Sequence, residues 1–489
     1  MRDPRLLLLL PLAVLWTWPW PATPTALLGV PDVETAEHLW ALWLGLDHGL
    51  VIETELIEGG YRWVLADPLN LPWFAAGAWI DPAIGWGFVW MGQLVVAGLG
   101  AAALSAATGH GEPWLAALFG ATVPALASGL STGMSDGSGV GWVALGLAAL
   151  WWAQDGGWGR LALAGVALGL TAWAGPYMLL FAALCAPFFV RSWRAVAALP
   201  VAAAVAWPVL AAIGSRPAGA PGTEDVLAMA LADPDGLGAL LNGAPLPALV
   251  WPVDGRLEAV LLGVVPIGLA LWGRHRRLGL AAAWCAVLSL GFFVQLDDAP
   301  VRIGDRLLTL PAAWLGMASD TLARASRWTR AAALAGLLLA PLAAAGAAKS
   351  SRWLWLAALV ESLAHSPWPR TLWEVPELAG YEELEGPILH LPPARDALQR
   401  KLRLVHQTRH GLVLAENPHQ ASTQHRAERW GQALMRSAAA GREPPPAPDE
   451  LRTVVLLRGD RREEAWLERA LGPPSVSTDD LLAWPTSGR

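Results

Sequence analysis

The sequence predicts an all-α polytopic membrane protein of about eleven transmembrane helices, followed by a small soluble α/β domain. Three observations carry that prediction. Of 489 residues, 54% are hydrophobic and only 15% charged, with a mean hydropathy of +0.40, a composition outside the range of ordinary soluble domains. Apolar runs of about 15 to 20 residues, enough to cross a bilayer core, recur through residues 1–349. From about Ser350 the composition changes, and residues 350–489 read as a water-soluble domain.

In chain order the apolar runs fall near 6–28, 84–106, 114–131, 139–154, 160–174, 176–190, 195–213, 257–273, 278–296, 307–322 and 331–348. The first resembles a signal peptide, with Arg2 and Arg5 before Leu6, but it continues through Trp16, Trp18 and Trp20 without a convincing cleavage site before Asp32. A retained first span is therefore expected. Arg2, Arg5, Arg160, Arg191, Arg194, Arg274, Arg276, Arg277, Arg324, Arg327 and Arg330 mark cytoplasmic turns by the positive-inside rule. The N-terminus is then cytoplasmic, while loops 31–83 and 215–256, residues 297–306 and the C-terminal domain face outward. The run 307–322 carries Pro311 inside it and Asp320 near its end; if it only lies on the surface, the tail moves to the cytoplasm.

Within the 31–83 loop, Val33, Ala36, Trp40, Trp43 and Leu44 share one helical face, and Glu34, His38 and His48 the other. The spacing predicts an amphipathic helix over 33–48, suited to lying along a membrane interface. Residues 50–58 and 61–65, around Gly59-Gly60, read as two short strands joined by a turn. The 215–256 loop is rich in Pro, Gly and Asp, a composition that fits either a flap over a site or an inert connector. In the tail, 387–391 and 453–457 read as strands and 461–471 as a helix, with Arg442 to Pro446 a stiff linker.

Composition also removes some functions. Lys349 and Lys401 are the only lysines, and no basic face is interleaved with stacking aromatics, so nucleic acid binding finds no support. Both cysteines, Cys185 and Cys285, sit inside apolar runs, so neither a disulfide framework nor a thiolate metal site is implied. Interface belts account for most of the 30 Trp residues without a ligand. The preference for Arg over Lys and the lack of cysteines in polar loops suit a bacterial inner membrane.

Several local patterns, in order, resemble large bacterial multi-pass membrane proteins of the C-type (GT-C fold) glycosyltransferase superfamily, including the YfhO-like proteins. They are the acidic stretch from Asp32 through Trp40, Ala66-Asp67-Pro68-Leu69-Asn70, Leu170-Thr171-Ala172-Trp173 with Tyr177, and residues 324–328. Pro387 to Pro392, Gln407-Thr408-Arg409-His410-Gly411 and the ending 451–457 with 471–474 extend the resemblance over nearly the whole chain. The resemblance implies sugar transfer from a polyprenyl-phosphate-linked donor to a glycan, lipid or protein acceptor at the outer membrane face. It also implies an acidic pair in the first outer loop, a position that Asp32 and Glu34 occupy. The chain departs from the pattern in lacking an unmistakable second acidic motif.

Asp32 is the candidate base, taking the proton of an acceptor hydroxyl as it attacks the anomeric carbon; an Asp directly before a helix is equally a standard N-cap. Glu34 stands beside it as a second carboxylate that raises one pKa or shares a cation, or as a solvated first-turn acid favouring the helix dipole. His38 lies one turn from Glu34 and is able to orient it. A divalent cation on Asp32, Glu34 and His38 is the weaker expectation, because no further ligand stands at a diagnostic spacing. Arg256, Arg302 and Arg306 are candidate contacts to the donor phosphate, each with acidic neighbours that offer an ion pair instead. Asp136 is a candidate second acid, or an ordinary turn Asp. Gln407 and His410 touch an acceptor or organise the tail.

Two other classes compete with the transferase. A transporter or flippase for a lipid-linked glycan predicts ionisable residues near span centres and an internal repeat, neither of which is clear. A non-catalytic envelope assembly protein on the same scaffold is the third.

Overall fold

The computed structural model describes the chain except residues 1–2, 32, 58–59, 216–224, 237–242, 251–260, 297–298, 326, 351–352, 367, 376–378, 395, 419–425, 459–460 and 487–489. Most of it is helical, and the contacts divide it into two compact units. Unit 1 holds Met1–Val30, Ala66–Trp79 and Ala83–Leu372, and unit 2 holds Pro31–Leu65, Ile80–Pro82 and Trp373–Arg489. The compositional boundary at 349/350 thus falls inside unit 1.

Unit 1 is a bundle of apolar helices. Among the described residues, Pro82–Thr108, Pro113–Ser131, Trp193–Gly214 and Trp328–Lys349 are long and apolar enough, by length and composition, to cross a membrane. Other expected crossings correspond to shorter helices, including Pro4–Trp16, Val140–Ala153, Trp158–Ala174, Pro176–Phe189, Val264–Gly273 and Arg276–Ser289. The run 307–322 breaks into Pro311–Ala318 and Asp320–Ala323. The longer of these, at 8 residues, rises about 12 Å, less than half a hydrocarbon core.

Small residues set how closely these helices pack. A Cβ on Gly141 would stand 2.5 Å from the Ala97 amide nitrogen, and one on Gly346 would stand 2.0 Å from the Leu269 carbonyl oxygen. Backbones that approach so closely associate through van der Waals contact rather than large side chains, as membrane helices do. Trp193, Trp207, Leu199 and Leu210 on one candidate span are exposed, an apolar surface that suits lipid better than water. The helix Trp353–His365 packs its Ala358 with Leu115, Phe119 and Ala347. It lies where the sequence reads as already soluble.

Unit 2 contains a four-stranded mixed sheet in the order Val476–Ser477, Leu481–Pro485, Thr453–Leu457, Ile388–Leu391. The first three pair antiparallel and the last joins Thr453–Leu457 in parallel. Period-2 alternation sends Leu389, Leu391, Val454, Leu456 and Trp484 into one core, with Trp430, Leu434 and Leu467 from the helices. Ile388, Val455, Leu481 and Ala483 enter the other, with Tyr381 and Leu414. Both faces of the sheet are covered, which is why its strands read as continuous apolar runs.

The expected helix of the first outer loop forms over Val33–His48, and the hairpin pairs Val51–Thr54 with Tyr61–Val64. That helix packs on Ala397–His410, burying Ala36, Leu39, Trp40 and Leu44. Its apolar face is covered by protein instead of being left for a membrane interface.

Candidate functional site

The Asp67-Pro68-Leu69-Asn70 sequence folds as a short 3-10 turn, because Pro68 presets a helical φ while lacking an N–H that would go unused at a helix start. The Asn70 backbone amide donates to the Asp67 carbonyl at 2.9 Å. The Asn70 Nδ2 donates to Asp67 Oδ2 at 2.7 Å, and the Ser135 hydroxyl donates to the same oxygen. Gln93, from the Pro82–Thr108 span, donates to Asn70 Oδ1. Asp67, Asn70, Gln93 and Ser135 are all buried. A carboxylate taken out of water needs such donors, since burying an unsatisfied one costs several kcal/mol.

The next residue after Ser135 carries the second carboxylate. Asp136 Oδ2 accepts from Arg330 Nη1 at 2.8 Å, with the two side chains 13% and 7% exposed. The Arg330 guanidinium lies 4.9 Å from the centre of the Tyr177 ring, a cation–π contact that a planar, weakly hydrated cation makes well. Glycines make room for this arrangement. A Cβ on Gly137 would stand 2.9 Å from Arg330 Nε, and Gly175, at φ +149°, would bring a Cβ within 2.7 Å of the Asp136 carbonyl oxygen. A cavity of about 20 Å³, room for about one water, is lined by Gly137, Ser138, Thr329 and Arg330 among others.

This contact corrects the charge-based topology. The alternation of spans puts the turn after run 114–131, with Asp136, outside and the turn with Arg330 in the cytoplasm, yet the two side chains are 2.8 Å apart, which a bilayer core of about 30 Å between them would forbid. The other basic turns lie elsewhere. Arg191 pairs with Asp155 at 2.6 Å, at the opposite end of the Val140–Ala153 helix from Asp136, and Arg277 donates to the Val190 carbonyl. Gly29 donates to the Thr371 carbonyl and Val30 to the Ser131 carbonyl, both at 2.9 Å. The chain therefore leaves unit 1 at Val30 and at Leu372 on the end that carries Asp136.

Of the residues expected at the site, Asp32 and Arg256 lie outside the described residues. In unit 2, His38 Nε2 stands 3.7 Å from Glu34 Oε2 one helical turn away, and Lys401 Nζ pairs with Glu37 Oε1 at 2.9 Å. Burial lowers the Lys401 pKa, opposed by Glu37. No group of three or more His, Cys, Asp and Glu positioned for a metal occurs among the described residues. In unit 1, Arg302 pairs with Asp235 at 2.8 Å, and Arg306 lies exposed in the hairpin that pairs Arg302–Ile303 with Arg306–Leu307. The cation paired with Asp136 is Arg330. Sequence reasoning missed that role, although Arg330 directly precedes an apolar run, and it missed Ser135. Tyr177 and Asp67 were each named only within a motif.

Gln407 is buried, with its amide engaged by Trp40 Nε1, the Leu56 carbonyl and the Leu412 carbonyl. Unit 2 also holds a closed polar network. Tyr381 OH lies 2.8 Å from His390 Nε2, His390 Nδ1 lies 2.7 Å from Glu416 Oε1, and Arg403 pairs with the other Glu416 oxygen. The network sets the tautomer: Nδ1 donates to the carboxylate and Nε2 accepts from the phenol. Burial pushes His390 far below its ordinary pKa and Tyr381 upward, while Arg403 drops to about 10 for the same reason. His410 stacks on Tyr381 at 4.4 Å, and its Nδ1 accepts from the Leu412 amide. Burial holds His410 at about 3 and His406 at about 4.

No protein-family model matches the chain, and no curated protein matches it. Among solved structures it is similar to the cryo-EM structure of the arabinofuranosyltransferase AftD from Mycobacteria, at 16% identity and a TM-score of 0.47 over 99% of this chain and 40% of that one. A mutant form of the same protein gives 16% identity and a TM-score of 0.49, over 99% of this chain and 41% of that one. The chain thus spans about two fifths of the length of these structures.

Proposed function

We propose that the chain is an integral membrane glycosyltransferase that moves a sugar from a polyprenyl-phosphate-linked donor to an acceptor hydroxyl, with inversion at the anomeric carbon. The observation that carries the proposal is the buried Asp67, Ser135, Asp136 and Arg330 cluster at one end of an apolar helical unit. Ionisable groups in such a setting are costly and are kept for function or for a specific partner. Within unit 1, Gly29 and Val30, which precede the acidic segment in sequence, are held by backbone hydrogen bonds to Thr371 and Ser131.

Asp32 is the proposed base. Its carboxylate takes the acceptor proton as the hydroxyl oxygen attacks, and polyprenyl phosphate departs. Glu34 and His38 support that role by charge and orientation, and a divalent cation on these three residues is a subsidiary proposal. Arg256, Arg302 and Arg306 are proposed for the donor phosphate, and Asp136 for substrate binding through its pairing with Arg330. The orientation proposed for the chain in a bacterial inner membrane places this end outside.

The test is sugar transfer by the purified protein in lipid, with a panel of hexosyl and pentosyl polyprenyl phosphates, with and without chelator. Asp32→Asn is expected to abolish transfer while membrane insertion is unchanged. Full activity in that variant would remove Asp32 as the base. No turnover with any donor from well-folded wild type would favour the transport or assembly functions.

A further inference from the structure

The sequence has two cysteines, in helices far apart along the chain, and they meet. Cys185 lies in Pro176–Phe189 and Cys285 in Arg276–Ser289. Their sulfurs are 3.2 Å apart across a separation of 100 residues, and both side chains are buried. A buried thiol on its own is an ordinary small apolar core group. Two such groups meeting by chance is another matter. A core residue touches about 6–12 others, so in a chain of 489 residues the only two cysteines would touch in about one case in fifty.

We propose that Cys185 and Cys285 are a disulfide site that links the two helices covalently. The sulfurs need to approach by about 1.2 Å to reach bonded length, a shift within the reach of side-chain rotation. The step is a thiol–disulfide exchange with a small disulfide as oxidant. One cysteine thiolate attacks the oxidant and releases one of its thiols, and the second thiolate then attacks the mixed disulfide and releases the other. Two protein thiols are oxidised, one disulfide is reduced to two thiols, and the two cysteine protons end on the released thiolates. Complete burial requires the exchange to occur while the helices are still assembling, or with an oxidant that partitions into the apolar phase.

The bond would act on more than its own surroundings. The Pro176–Phe189 helix carries Tyr177 near its start, and the Arg276–Ser289 helix packs against the Trp328–Arg330 turn. Linking the two helices fixes the frame in which Tyr177 faces Arg330.

The test counts thiols on the full chain. Protein purified without reductant is denatured in N-ethylmaleimide and its intact mass measured, before and after treatment with an apolar aromatic disulfide, and after phosphine reduction. The expected result is no adduct on the oxidant-treated chain and two after reduction, with no covalent dimer. The Cys285→Ser variant should retain one thiol that the oxidant converts only to a mixed disulfide. Two adducts on the oxidant-treated wild type, or a mixed disulfide at each cysteine, would overturn the proposal. Wild type supplies the deciding count, so a poorly folding variant does not rescue it.

Discussion

The two units each bury a charged network, and the networks differ in how completely they are closed. In unit 2, Tyr381, His390, Glu416 and Arg403 form a chain whose members are 1–7% exposed, enclosed by the sheet and its helices. A network of this kind, with its charges paired inside a core, helps to specify that core. In unit 1 the Asp136 and Arg330 pair is 13% and 7% exposed and borders a small cavity. Both pairs are costly to dehydrate. The difference teaches that burial alone does not separate structure from function: the enclosed network holds a core together, whereas the one at a unit's edge has space beside its charges.

Removing one charge from the closed network should have the largest effect. Glu416→Ala leaves buried Arg403 without the carboxylate it pairs with and should destabilise unit 2 by about 3–5 kcal/mol. Hydrogen exchange at Ile388–Leu391 and Thr453–Leu457 reads it, and adding Arg403→Met should restore most of the protection. If Glu416→Ala leaves exchange unchanged, the closed network is not structural and the contrast fails.

The edge pair should be the more forgiving of the two. Arg330→Ala should cost about 2–4 kcal/mol of stability, because Asp136 has some access to solvent. Arg330→Lys should recover only part, since it keeps charge without the planar fork of donors that pairs with Asp136. Transfer measured on both variants sharpens the comparison. A loss of activity larger than the loss of stability marks function, and parallel losses mark a structural tie.

Acid should then separate the units. His406 at about 4 and His410 at about 3 are held below the ordinary value by burial, so the unfolded chain binds more protons than the folded one between those values and about 6.5. Their contribution is constant above about 6.5 and is lost as pH falls through that window. By pH 5.5 the two together remove at most about 3 kcal/mol from unit 2. Exchange followed from pH 7 to 5.5 should show unit 2 opening first, and earlier opening of unit 1 would reverse the contrast.

The smallest effect is expected where a pair is solvated. Arg302→Ala breaks a 2.8 Å contact to Asp235 between side chains 41% and 66% exposed, and should change stability by less than about 0.5 kcal/mol. A thermal melt that shifts by several degrees would show that exposure is not what sets these energies. Loss of transfer with an unchanged melt would instead assign Arg302 a substrate.

Much of the local structure was legible without coordinates. The helices Val33–His48 and Arg461–Leu471 follow hydrophobic periodicity, and the strands Ile388–Leu391 and Thr453–Leu457 stand out as short apolar runs, both of which a few neighbouring residues determine. The apolar composition likewise determined a mostly helical chain with membrane-type spans. Tertiary structure decided which charges meet. Asp67 finds Ser135 across 68 residues, and Asp136 finds Arg330 across 194. Charge counting places Arg330 with the solvated arginines because it assumes that every arginine seeks water. A buried guanidinium seeks a carboxylate instead, and which carboxylate stands near it depends on how the helices pack, a long-range outcome that no local pattern encodes.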